Sequence, residues 1–132
     1  MRTFLTAVVV SLVLVSCGGS DGSSSSDSDE AASEAAFEQS VMSYAKAFGL
    51  GDTDGAWATV SKRCQGIVPE SEYRAAVASA GELNKGMTAT DVVVEIDGDQ
   101  GRATYSITED DIGPYDQQPW RFEDGAWRWD DC

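Results

Sequence analysis

The sequence predicts an α+β domain: three N-terminal helices packed on a curved antiparallel sheet of about four strands. Three observations carry this. Apolar residues recur at helical spacing from residue 34 to about residue 80. The period then changes from 3.6 to 2 near Asp91. Finally, Asp124-Gly125 sits between two segments whose aromatic residues fall on one face once a tight turn joins them. Helices followed by hairpins make an α+β chain rather than an alternating α/β one.

The first helix is expected from about Glu34 to Phe48. Phe37, Val41, Tyr44, Ala45 and Phe48 share one face, and Gly49 and Gly51 end it. Asp52 or Thr53 can cap a second helix, on which Trp57, Val60, Ser61 and Cys64 form a stripe up to Gly66. Pro69 suits the first turn of a third helix that turns Tyr73, Ala76, Val77 and Ala80 inward. Residues 81–86 read as a connection.

Val92, Val94 and Ile96 then alternate with Asp91, Val93 and Glu95, and Ala103, Tyr105 and Ile107 with Arg102, Thr104 and Ser106. A two-residue loop at Gly98-Asp99, or a four-residue loop at 97–100, sets Ile96 against Gly101 and Glu95 against Arg102. A three-residue loop would mix the faces. In the last hairpin a type I′ turn at Asp124-Gly125 pairs Phe122 with Trp127 and Trp120 with Trp129. Arg121 and Arg128 meet on the other face, where Glu123 and Asp130 can neutralise them. Cys132 has the parity of Arg128, so a bridge from it to a packed helix requires the strand to bend or end near Asp131.

The N-terminus reads as a targeting segment. Arg2 precedes an uncharged, largely apolar run of 12 residues, Phe4 to Val15. That run is too short for a bilayer span, which needs roughly 20 residues, and it suits the core of a signal peptide. It closes on Leu14-Val15-Ser16-Cys17, which resembles the lipobox of bacterial lipoproteins, in which the Cys is lipidated and becomes the mature N-terminus. The resemblance implies a signal peptide over 1–16, a lipidated Cys17 (diacylglyceryl and palmitate chains) and a location on the extracytoplasmic face of the cell membrane. Residues 17–34 are Gly, Ser and acid with no large apolar residue, the composition of a disordered tether. Residues 35–132 remain as one domain.

The chain carries 9 basic and 23 acidic residues, a net charge of −14, and no His. Nucleic acid as a partner is excluded by that balance, since its phosphates need Lys and Arg. With Cys17 lipidated, two of the three Cys are left, Cys64 and Cys132. In an exported chain they are expected to form a disulfide. The alternative is a buried thiol at Cys64 and a frayed one at the end. Two thiols without His make a structural zinc site unlikely chemistry.

The order of elements resembles the NTF2-like (cystatin-like superfamily) fold, as in small lipid-anchored proteins of high-GC Gram-positive bacteria. The residues that carry it are Phe37 to Phe48, Gly51-Asp52-Thr53-Asp54-Gly55-Ala56-Trp57, Ser61-Lys62-Arg63-Cys64, Val68-Pro69 and Gly125-Ala126-Trp127-Arg128-Trp129-Asp130-Asp131-Cys132. The resemblance implies a cone-shaped pocket between sheet and helices. Enzymes of this fold use pocket Asp, Tyr or His, and none of those roles carries over here.

No catalytic constellation, cofactor motif or metal site is expected. Ser40 and Ser61 have no visible base partner. Asp97-x-Asp99-x-Gly101 lacks the ligand spacing of a calcium loop and reads as a turn. Glu109-Asp110-Asp111 reads as a solvated loop. Tyr44, Trp57, Tyr105, Trp120 and Trp129 are the candidates to line an apolar pocket, against the alternative that they only build a small core. The expected function is a non-catalytic, membrane-anchored accessory domain that binds a protein partner or a small apolar ligand. Alternatives are an isomerase- or dehydratase-type enzyme using a buried carboxylate, and a structural envelope lipoprotein. The outer sheet face, with Glu95, Arg102, Arg121, Glu123 and Arg128, leaves room for a homodimer.

Overall fold

The computed structural model describes residues 29–84, 86–108 and 114–132. The signal segment, Cys17, the start of the tether and the Glu109-Asp110-Asp111 cluster lie outside them. The chain is α+β: the described residues form five helices and a four-stranded antiparallel sheet in the order β1-β2-β3-β4. A helical turn, α1, occupies 29–31. It is followed by α2 (Glu34–Leu50), α3 (Thr53–Thr59), α4 (Lys62–Gln65) and α5 (Glu70–Leu83). The strands are β1 (Ala89–Asp97), β2 (Gln100–Ile107), β3 (Tyr115–Glu123) and β4 (Ala126–Trp129).

The helices number five rather than three, for two physical reasons. First, the end of the expected tether is structured: 29–31 is helical and the Ser33 hydroxyl accepts the Ala36 N–H to cap α2. Second, the expected second helix is broken. Val60 is extended and bridges Trp129 in parallel, and the Ser61 N–H donates to the Trp129 carbonyl at 2.8 Å. Ser61 then caps the short α4, accepting the Cys64 N–H. The chain leaves the helix to cover the edge of β4.

α2 extends to Leu50, and Gly51 at φ 70° ends it. Asp52 rather than Thr53 caps α3, accepting the Gly55 N–H. Pro69 stands just before α5 instead of inside its first turn. That helix buries Tyr73, Val77 and Gly81, whereas Ala76 is exposed. Gly81 belongs to the helix, not to the connection, because it packs against the backbone of Gly51. A Cβ there would lie 2.4 Å from the Gly51 Cα.

Both hairpins have the expected registers. Ile96 faces Gly101 and Glu95 faces Arg102; Trp120 faces Trp129, Phe122 faces Trp127 and Arg121 faces Arg128. Asp124 and Gly125 have φ of 50° and 73°, both positive as a type I′ turn demands. Phe37 stacks on Trp127 with ring centroids 4.2 Å apart and meets Trp120 edge-on. Tyr44 stacks on Trp129. The helices therefore cover the aromatic face of the sheet, and Trp120 and Trp127 are buried at its centre.

The strand ends at Trp129, which resolves the parity of Cys132. The Asp130 N–H turns back to the Pro119 carbonyl, and Cys132 reaches Cys64 in a disulfide with Cα atoms 5.7 Å apart. The outer face is less open than expected. The Glu123 carboxylate accepts the Lys62 N–H, and Arg128 donates to the Ala58 carbonyl.

Candidate functional site

Two irregularities shape the space between α2 and the sheet. The β2–β3 register shifts between Ala103 and Tyr105, with Gln117 at φ 50°, and the β1–β2 register shifts between Thr90 and Val93. Bulges of this kind bend strands and increase twist. The sheet curls away from the C-terminal half of α2, and a half-open cavity of about 250 Å³ remains there.

Its walls come from every layer. α2 supplies Tyr44, Ala45 and Phe48, α5 supplies Tyr73, and Met87 lies on the connection to β1. Tyr105 and Ile107 of β2, Tyr115 and Gln118 of β3 and Trp129 of β4 form the floor. The lining is thus six aromatic rings, three aliphatic or thioether side chains and one amide. Among the described residues it contains no Asp, Glu, His, Lys or Arg.

Of the five expected pocket residues, Tyr44, Tyr105 and Trp129 line the cavity and two do not. Trp57 is half-buried against Tyr73, with ring centroids 5.3 Å apart. Trp120 is buried beneath Phe37 and Tyr44, as core. Phe48, Tyr73 and Ile107 already lay on inward stripes and carried a signal. Met87, Tyr115 and Gln118 did not, since only the bulged pairing brings them round.

The cavity has few polar atoms, and two hydrogen bonds join four of them. The Tyr73 hydroxyl donates to the Tyr44 hydroxyl at 3.0 Å, and the Tyr105 hydroxyl donates to Gln118 Oε1 at 2.7 Å. Burial pushes Tyr44 far above the ordinary tyrosine value, with Tyr73, Tyr105 and the Asp131 carboxylate adding to the rise. Burial likewise raises Tyr105, with smaller contributions from Tyr115 and Asp131. Burial raises Tyr73 as well, partly offset by its bond to Tyr44. All three remain protonated through neutral pH. The cavity presents neutral hydroxyls and ring faces.

A second cluster is polar and closed. Ser61 is fully buried and its hydroxyl donates to the Asp130 carboxylate. Arg63 pairs with that carboxylate at 3.1 Å and donates to the Asp130 carbonyl at 2.5 Å. The Cys64–Cys132 disulfide lies beside it. Asp130 is the one buried carboxylate among the described residues, and it is taken up by Ser61 and Arg63 instead of facing the cavity. The partner of Ser61 was not visible in the sequence, where the two lie 69 residues apart. Asp97 and Asp99 stand at the β1–β2 turn, and no group of three His, Cys, Asp or Glu among the described residues can hold a metal ion.

No protein-family model matches this chain, and neither curated proteins nor solved structures show a significant match to it.

Proposed function

We propose that the chain is an extracytoplasmic lipoprotein, anchored through Cys17, whose NTF2-like domain is a non-catalytic binding module for a small apolar ligand. The observation that carries this reading is the 250 Å³ cavity walled by Tyr44, Phe48, Tyr73, Tyr105, Tyr115 and Trp129. Ligand sites are typically concave, largely apolar and equipped with a few convergent polar groups. The bent four-stranded sheet under the helices supports the NTF2-like assignment. The lipobox-like Leu14-Val15-Ser16-Cys17 supports the anchor. Among the described residues no helix is long and apolar enough to cross a membrane.

Native mass spectrometry on protein isolated from its own host tests the binding role. A bound small molecule, released on unfolding, is the expected outcome. A ligand-free spectrum, with no small molecule recovered by solvent extraction, overturns it. The anchor is tested separately by Cys17→Ala, which should move the protein from the membrane fraction to the soluble one.

A further inference from the structure

Counting protons in the cavity narrows the ligand. Tyr44 and Tyr73 bring two hydroxyl protons to one shared hydrogen bond. One proton therefore has no acceptor among the described residues, whichever of the two donates. The Tyr105 hydroxyl occupies Gln118 Oε1, which leaves the Gln118 amide N–H groups also without an acceptor there. Both surplus donors belong to residues that line the same cavity. Tyr44 is only 6% exposed.

We infer that the cavity selects neutral, flat apolar molecules that carry a carbonyl-type hydrogen-bond acceptor, such as an aryl ketone or ester, over hydrocarbons and over carboxylates of the same shape. The inference rests on the ligand-binding reading above. A buried donor without an acceptor is costly, so a ligand that satisfies it gains over one that does not. Carboxylates also accept, but among the described residues no Lys or Arg lines the cavity to compensate their desolvation. The field of the neighbouring Asp131, which helps hold Tyr44 and Tyr105 protonated, opposes an anion further. Size agrees: a dry cavity of about 150 Å³ takes benzene, so 250 Å³ takes a substituted ring.

The test is a titration of the intact domain with three probes of equal size: acetophenone, α-methylstyrene and benzoate. Binding is read from the ¹H–¹⁵N shift of the Trp129 indole. Acetophenone should bind about 5- to 10-fold tighter than α-methylstyrene, the worth of about one hydrogen bond. Benzoate should bind at least as weakly as α-methylstyrene. The variants separate the donors. Tyr44→Phe or Tyr73→Phe alone leaves one hydroxyl proton in the cavity and should keep most of the ketone preference. The double variant Tyr44→Phe/Tyr73→Phe, which leaves the Tyr105–Gln118 hydrogen bond in place, should lower it while α-methylstyrene still binds. Equal binding of ketone and hydrocarbon, or tighter binding of benzoate, to the wild-type chain overturns the inference but leaves the binding reading standing. Absence of binding by both neutral probes overturns the binding reading itself. These wild-type outcomes decide the matter even if the double variant does not fold.

Discussion

Ser61 does three things at once. Its hydroxyl donates to Asp130 and accepts the Cys64 N–H, and its own N–H holds the Trp129 carbonyl. Ser61→Ala keeps the last of these and loses the first two. Hydrogen bonds to charged groups are worth about 1.5–3 kcal/mol, and a lost cap about 1 kcal/mol. The variant should be about 3 kcal/mol less stable in urea unfolding, with α4 frayed. At this scale the buried tyrosines also set an alkaline limit. Tyr44 and Tyr105 have folded-state values raised above the ordinary value of about 10. Their stabilising contribution is complete below that value. Above it the unfolded chain releases these protons while the folded chain retains them, so stability falls as pH rises. Each contributes a slope of about −1.4 kcal/mol per pH unit. Absorbance at 295 nm should show part of the tyrosine signal appearing only together with loss of far-ultraviolet circular dichroism. Tyrosinate formation by all four tyrosines with native circular dichroism intact would contradict this.

At the scale of elements, close approach of α2 and α5 depends on Gly81. A Cβ at that position meets the Gly51 backbone at 2.4 Å, which no side-chain rotation can relieve. Gly81→Ala should cost about 3 kcal/mol, at the upper end of overpacking effects, and lower the thermal midpoint by more than 10 °C. Gly101 has a similar constraint from the Phe37 ring. The hairpins were legible because they are local: a two-residue period and a tight turn fix which residues face each other. The second helix was not, because its interruption at Val60-Ser61 is imposed by Trp129, far along the chain. Trp57, Val60 and Cys64 have the helical spacing, but a sheet edge in need of a partner prevails over it. The cavity was half legible for a related reason. Tyr44 and Tyr105 follow from their stripes. Tyr115 and Gln118 depend on where the β2–β3 register slips, which the sequence marks only through Gln117 in a conformation that favours glycine. Trp120 and Trp57 also lie on inward stripes, but periodicity does not separate pocket lining from core, and Trp120 is buried in the core while Trp57 packs on Tyr73.

For the whole molecule, the disulfide joins α4 to the C-terminus across 68 residues of sequence. In the chain-entropy model a loop of that size contributes on the order of 4 kcal/mol, a large part of the 5–15 kcal/mol typical of a domain. Cys132→Ser should lower the urea midpoint accordingly. Reduction of the wild-type protein should add two hydrogens to its intact mass. The bridge and the Asp130 cluster fasten the chain just past β4, next to Trp129 of the cavity lining.

The position of the cavity along α2 has a consequence for reach. The chain enters α2 at Glu34, yet the cavity meets this helix only between Tyr44 and Phe48. At about 1.5 Å per residue the cavity stands about 15–20 Å along the helix from the point where the chain enters it. Under the proposed anchoring at Cys17, α2 would add that length between the tether and the cavity.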